Sequence, residues 1–144
     1  MTREEALEAL EALAGKRLPG PDDDLFGALA IEGDDANEFI EAYAEACEVD
    51  MSGFLWYFHY NADEPPGSRR VLPVLSDGTV APYHPVTVEN LVASAMAGHW
   101  VWDYPEHTIR HSRVYRAAFS LLLLLVFVGA VWIAWSFDPL GWIR

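Results

Sequence analysis

The chain has 144 residues with 22 acidic and 9 basic side chains, and this length predicts one domain with at most an appendage. The acidity is concentrated at one end, because residues 1–66 contain seventeen Asp or Glu against Arg3, Lys16 and Arg17. Such a region repels phosphate backbones, which excludes nucleic acid as its partner. The single cysteine, Cys47, excludes an intrachain disulfide and a cysteine-rich metal site.

The first predicted helix runs from Arg3 to Ala14. Thr2 with Glu5 three residues later is a capping-box pattern, and Gly15 can end the helix in a left-handed conformation. The helical period predicts an inward face of Leu7, Leu10, Leu13 and Ala14.

Three consecutive acids, Asp22–Asp24, follow a loop broken by proline and glycine. They are predicted to cap a short turn that packs Leu25, Phe26 and Leu29. Calcium binding is the alternative, but no EF-hand spacing follows these acids.

A second long helix is predicted from about Asp35 to Cys47, with Asp34 or Asp35 as its cap. Its inward face is predicted to be Phe39, Ile40, Tyr43, Ala46 and Cys47. The opposite side carries a row of carboxylates, which is either a solvated face or a docking surface for a basic protein partner. The candidate partner-binding residues on this acidic face are Asp34, Asp35, Glu38, Glu41 and Glu45.

The segment from Val49 to Tyr60 is dense in aromatic residues and predicts a buried strand or a short helix. Core packing is favoured there over an aromatic ligand pocket. Residues 71–82 then predict a small β-hairpin with Asp77-Gly78 as its turn. Pro73 within it indicates an edge strand or an irregular one.

The last helix of the polar region is predicted from Val88 to about Ala97, capped by Thr87 and ended by Gly98. Its predicted inner face is Leu91, Val92, Ala95 and Met96. Three aromatic residues follow it and are expected either at lipid headgroups or packed on the domain: Trp100, Trp102 and Tyr104.

The stretch from Ala117 to Phe137 carries no charge, and at 1.5 Å per residue it is about 30 Å long. This pattern predicts a transmembrane helix. The residues that flank it or lie near its far interface are Arg110, Arg113, Arg116, Trp132 and Trp135. The arginines on the N-terminal side place that side in the cytoplasm by the positive-inside rule.

The start of the chain is acidic and amphipathic, without the basic and then apolar pattern of a signal peptide. We therefore expect a tail-anchored, single-pass protein of the inner membrane with its N-terminal domain in the cytoplasm. The expected organisation is a domain at 1–100, a juxtamembrane linker at 101–116, the transmembrane helix at 117–137 and a short tail at 138–144.

Two segments, Leu29–Ser52 and Val86–Gly98, resemble the second and last helices of acyl carrier proteins. The motifs Gly33-Asp34-Asp35, Val49–Phe54 and Thr87–Trp100 are more similar still to a bacterial acyl-carrier-like family, domain of unknown function 1493. The resemblance covers about residues 1–100. It implies a mainly α fold, an acyl-carrier-like small helical bundle with a short β-hairpin insertion, to which the sequence adds one C-terminal transmembrane helix.

One departure from the carrier pattern bears on function. Carrier proteins attach phosphopantetheine to a Ser that follows an Asp at the start of the second helix. In this register the Ser position falls at Gly33 and the Asp position at Glu32. Because glycine has no hydroxyl, Gly33 is a degenerate prosthetic-group position, and we expect neither carrier activity nor a cofactor.

Metal or enzyme chemistry finds little support in the sequence. His107 and His111 are four residues apart and would share one face of a helix, but a zinc site needs three or four protein ligands. Contact with anionic headgroups is the other role for them. No nucleophile elbow, phosphate loop or dinucleotide fingerprint occurs. We predict no metal and no enzyme activity.

The sequence thus predicts a membrane-tethered, non-catalytic interaction module with a carrier-like fold that lacks the phosphopantetheine Ser. The alternative is a small membrane accessory or immunity-type protein that acts through its transmembrane helix. A third hypothesis is a metal protein or enzyme that uses His107 and His111.

Overall fold

The computed structural model describes residues 1–61, 69–112 and 114–136, and within the last range it describes side chains for residues 120–133. Contacts divide the chain into two units, Met1–His111 and Ser112–Arg144. The described residues form five α-helices and one two-stranded antiparallel sheet. This small mixed α/β architecture corrects the prediction of a mainly α bundle.

Helix α1, Arg3–Ala14, begins and ends as the sequence predicts. The Thr2 hydroxyl accepts from the Glu5 backbone N–H while the Glu5 carboxylate accepts from the Thr2 N–H, and Gly15 is left-handed with φ 62°. Ala6 and Leu10 are buried, whereas Leu7, Leu13 and Ala14 are half-buried.

Helices α2, Leu25–Leu29, and α3, Gly33–Cys47, follow. The predicted cap of α3 is wrong, because its N-cap is Glu32 and Asp34 and Asp35 lie in its first turn. In α3 the predicted Ile40, Tyr43 and Cys47 are buried and Phe39 is half-buried. Ala46 is exposed, so its predicted inward position is wrong. The buried stripe of α3 is formed by Ala36, Ile40, Tyr43 and Cys47, and Ala46 lies at the edge of this stripe.

Helix α4, Val88–Ala97, has the predicted Thr87 cap and a left-handed Gly98 with φ 75°. Leu91, Val92 and Ala95 are buried as predicted. Met96 is 55% exposed, which corrects its predicted inward position. Ser94 is buried instead, and its hydroxyl is satisfied by donating to the Asn90 carbonyl oxygen at 2.8 Å.

The predicted hairpin at residues 71–82 forms only in part. The Asp77-Gly78 turn is present, with Gly78 at φ 83°, but the returning chain makes a single bridge between Val74 and Val80. Ala81 donates to the Pro73 carbonyl oxygen, but the reciprocal bond cannot form because Pro73 has no N–H. Strand β1, Val71–Leu75, instead pairs along its length with β2, His107–His111.

The aromatic segment contains a short 3₁₀ helix, Trp56–Phe58, and packs in the core as expected. The segment after α4 returns to the same region. Trp100 belongs to the core, and Trp102 and Tyr104 pack against it. Of the two alternatives for these three aromatic residues, packing on the domain is therefore the one observed.

Helix α5, Val114–Ser136, contains most of the apolar run. In the part of the chain with described side chains, no helix combines the length and apolarity that crossing a bilayer requires. The predictions of a transmembrane helix at 117–137, a tail anchor and single-pass placement in the inner membrane are therefore wrong for the chain as described.

Candidate partner-binding surface

The acidic stripe of α3 is defined by the predicted carboxylates Asp34, Asp35, Glu38, Glu41 and Glu45. All five are exposed, so the structure places every one of them on the solvent side of the helix. Four lie three or four residues apart along the chain, which aligns them on one face, while Asp35 lies beside them. The helix itself, residues 33–47, contains no Lys, Arg or His.

The helix dipole acts differently on these carboxylates at the two ends of α3. Asp34 and Asp35 lie in the first turn, where a negative charge is favoured by the helix dipole. Glu45 lies in the last turn, where no basic residue is present and the dipole opposes a carboxylate. The acidic stripe is therefore electrostatically unfavourable toward its C-terminal end.

Buried contacts fix the orientation of this face. The Tyr43 hydroxyl donates to the Leu91 carbonyl oxygen at 2.6 Å, which ties α3 to α4, and burial raises the pKa of Tyr43. On the exposed side the Asn37 amide donates to Glu41 at 2.7 Å, and its carbonyl oxygen accepts from the Tyr60 hydroxyl. These bonds hold the acidic stripe outward.

Gly33, the degenerate prosthetic-group position, is the first residue of α3 and is buried. Its φ of 58° lies in the left-handed region, which costs an L-residue about 1 kcal/mol or more. A serine there would meet backbone strain in addition to burial.

A groove beside the acidic stripe has a volume of about 470 Å³ and lies where α1 ends, α2 ends and α3 begins. Its apolar walls are half-buried side chains packed on the core, while two acids and one lysine stand at its rim. We call this the α1–α3 groove, and it is lined by Leu13, Ala14, Lys16, Leu29, Ile31, Asp35, Glu38 and Phe39.

The sequence did not identify this groove. Its walls come from three separate elements, and although Leu13, Leu29 and Phe39 were each predicted to pack inward, no sequence pattern brings them together. The one available signal was an apolar Leu29–Ile31 segment directly before an acidic helix.

A second groove of about 570 Å³ lies along α1, with Leu7, Leu18 and Val88 in its lining. Both signs of charge line it: Glu4, Glu8, Glu11, Arg3 and Arg17. The Arg3 guanidinium pairs with both oxygens of Glu89, at 2.9 and 2.6 Å. The charges in this groove are thus mixed in sign.

A third feature is a partly buried group of aromatic and histidine rings. The aromatic–histidine cluster surrounds His59, and its rings stack or meet edge to face. His59 lies 4.8 Å from Phe54 in a stacked pair, and His84 lies 4.0 Å from Trp102, as measured between ring centroids. The members of the cluster are Phe54, Phe58, His59, His84, Trp100, Trp102 and Tyr104.

Both ring nitrogens of His59 have partners. Nδ1 lies 2.9 Å from the carbonyl oxygen of His84, which can only accept, so Nδ1 carries the proton. Nε2 then accepts from the Tyr104 hydroxyl at 2.7 Å, and that oxygen accepts from the Leu55 N–H at 2.9 Å. Burial lowers the pKa of His59 to about 4, so the ring is neutral and its role here is structural.

The metal hypothesis for His107 and His111 is corrected in its geometry, because the two residues lie on strand β2 and not on a helix. His107 Nδ1 donates to the Pro105 carbonyl at 2.8 Å, and Nε2 accepts from the Tyr57 hydroxyl at 3.0 Å. His107 thus has no lone pair left for a metal. Across the described residues, no group of three or more His, Cys, Asp or Glu could hold a metal ion.

The predicted membrane-flanking residues have separate positions. Arg110 is exposed on β2, opposite Leu72, within the unit Met1–His111. Trp132 on α5 is 69% exposed. Arg113 lies outside the described residues, and the side chains of Arg116 and Trp135 are also outside the described part.

Comparison with known families identifies the chain at this point. Residues 1–103 match the family described as Protein of unknown function (DUF1493), and the chain belongs to that family. Comparisons with curated proteins and with solved structures found no significant match.

Proposed function

We propose that this member of the DUF1493 family is a non-catalytic interaction module that binds a basic-surfaced protein through the acidic stripe of α3. The observation that carries the proposal is the exposure of five carboxylates on one helix that contains no cation. In the described part of the chain, Asp35, Glu38 and Glu45 form no ion pair. A partner with Lys or Arg side chains would supply the missing charge.

The energetic cost of the stripe supports this proposal over a face that is only solvated. Like charges three or four residues apart destabilise a helix by about 0.2–0.5 kcal/mol per pair. Solubility alone is served equally well by mixed charges. Helix α1 shows that alternative, since its acids Glu4, Glu8 and Glu11 share a groove with Arg3 and Arg17.

The resemblance to acyl carrier proteins supports the same surface, because partner enzymes of those proteins contact the corresponding helix with Arg and Lys. We further propose that the chain has no carrier function, and the buried, left-handed Gly33 supports this proposal.

The test is a charge reversal on the full chain, with Glu38, Glu41 and Glu45 all changed to Lys. The matched control reverses Glu4, Glu8 and Glu11 on α1, which changes the net charge by the same amount at another exposed site. A partner is first captured from cell extract and purified, and its affinity for each variant is then measured by titration at increasing salt.

We expect the α3 reversal to abolish binding and the α1 reversal to leave most of it. Affinity should also fall as salt rises, because the Debye length shortens from about 10 Å at 0.1 M to about 3 Å at 1 M. Binding that is indifferent to salt, or that survives the α3 reversal, would refute the proposed surface.

Carrier function has its own test. The full chain is incubated with a phosphopantetheinyl transferase and coenzyme A, and its intact mass is measured, with a working acyl carrier protein as the positive control. We expect no gain in mass. Addition of one phosphopantetheine arm would contradict the assignment of Gly33 as a degenerate position.

A further inference from the structure

The α1–α3 groove is an opening into the core next to the acidic stripe. Leu13, Leu29, Ile31 and Phe39 are all half-buried and pack against the buried core cluster. Phe39 is held by an edge-to-face contact with Phe26, at 6.1 Å between ring centroids. The apolar side chains of the groove are therefore held by packing on the core. The volume of the groove, about 470 Å³, lies within the usual range of binding pockets.

The charges at the rim are not neutralised from within. The Lys16 ammonium donates to the carbonyl oxygens of Ala28 and Leu29, at 3.2 and 3.4 Å, and so satisfies the end of α2. Among the described residues neither Asp35 nor Glu38 has an ion-pair partner. The groove thus presents apolar walls, with two carboxylates that form no ion pair among the described residues on the side of the acidic stripe.

We infer that the α1–α3 groove accepts a large apolar side chain from an amphipathic helix of the basic partner, while Lys or Arg residues on the same helix contact Asp35 and Glu38. This inference rests on the proposed function and specifies the partner's chemistry. A helix suits this arrangement because an apolar anchor and a cation three or four residues away lie on one helix face. Apolar burial adds affinity, and the two carboxylates set the orientation.

The experiment uses two helical peptides as probes for the full chain. One is built from leucine and lysine with the leucines at helical period, and the other has alanine in place of each leucine and the same charge. The groove is blocked by Ala14→Met, which adds a side chain at its lining. The matched control is Ala12→Met on the exposed side of α1, outside the groove.

Peptide affinity is measured by fluorescence anisotropy, and far-UV circular dichroism checks that each variant remains folded. We expect the leucine peptide to bind the unmodified chain and Ala12→Met about tenfold or more tightly than the alanine peptide. In Ala14→Met this preference should fall to about twofold or less. Any binding of leucine to exposed apolar side chains of α5 is common to all three proteins, so the deciding quantity is the difference in leucine preference between Ala12→Met and Ala14→Met.

The outcomes separate the two proposals. Equal affinity of the two peptides, or a leucine preference that Ala14→Met leaves intact, overturns the groove inference. The acidic-stripe proposal then stands if changing Glu38, Glu41 and Glu45 to Lys still abolishes the binding of both peptides. If that reversal has no effect on either peptide, the proposed function fails as well.

Discussion

The acidic stripe and the aromatic–histidine cluster handle polar groups in opposite ways. In the cluster, His59 is buried and both of its ring nitrogens have hydrogen-bond partners. On the stripe, five carboxylates are exposed on a helix that contains no cation. Satisfied polar groups in a core stabilise a unique fold, whereas like charges close together on a helix surface lower its stability. The difference gives the cluster a role in folding, and the stripe is the surface that we propose for recognition.

The largest expected effect is the loss of stability when a buried ring is removed from the aromatic–histidine cluster. Phe58 is 1% exposed, and its ring contacts Tyr104 and Trp102. Phe58→Ala should lower the free energy of unfolding by about 3–5 kcal/mol because it removes a buried ring and leaves a cavity. Urea unfolding followed by tryptophan fluorescence measures this loss. Glu45→Ala on the stripe is the control, and it should change stability by less than about 0.5 kcal/mol.

A pH titration of stability tests the buried histidine. The folded pKa of His59, about 4, lies below the 6.5 of an unfolded histidine, so the unfolded state binds the proton more readily between these values. The contribution of neutral His59 is complete above pH 6.5 and is lost as pH falls toward 4. The expected loss is about 3 kcal/mol, since each unit of pKa difference is worth about 1.4 kcal/mol.

The matched variant for that titration is His59→Gln, which removes the titrating group. The loss of stability between pH 6.5 and 4 should be smaller in the variant by about the same 3 kcal/mol. Parallel curves for the two proteins would show that His59 is not the group responsible. Carboxylates with lowered pKa, such as Asp50 and Asp77, act below this window because their unfolded pKa is about 4.

Removal of the Tyr104 hydroxyl tests how much the hydrogen bonds inside the cluster contribute to stability. Tyr104→Phe leaves His59 Nε2 and the Leu55 N–H without their shared partner, which should cost about 1–3 kcal/mol. Tyr83→Phe is the control, because its exposed hydroxyl bonds only Asn61 among the described residues. Equal thermal shifts for the two variants would argue that the buried hydrogen bonds do not contribute more than an exposed one.

The smallest expected effect has the opposite sign and lies on the stripe. Changing Glu38, Glu41 and Glu45 to Gln removes like-charge pairs and should stabilise the chain by about 1 kcal/mol at low salt. The gain should shrink in high salt because screening already weakens the repulsion. Thermal melts at both salt concentrations measure it. A loss of stability in low salt would contradict the view that the stripe is held at an energetic cost.

Much of the helical structure followed from the sequence. The Thr2–Glu5 capping box, the Thr87 cap and the left-handed Gly15 and Gly98 occur where they were predicted. The exposure of the acidic stripe was also predicted from helical period. The predicted inward positions of Ala46 and Met96 were wrong. Both residues are exposed, because each lies at the edge of the buried face of its helix.

The candidate site was predicted only on its charged side. Carboxylates in a helical row are visible in the sequence, but the α1–α3 groove requires three elements to meet. Likewise, the apolar run near the C-terminus predicted a helix correctly, and α5 spans Val114–Ser136. The expectation that this helix crosses a membrane is not upheld by the described residues.

By itself the sequence determined the caps of α1 and α4, the acidic face and the absence of a hydroxyl at Gly33. These features depend on contacts within three or four residues, which a linear pattern records. Only the tertiary structure decided that β1 pairs with β2, that His59 meets Tyr104, and that Leu13, Leu29 and Phe39 wall one groove. Those contacts join distant segments, and the packing of the whole unit Met1–His111 selects among the many pairings that local pattern permits.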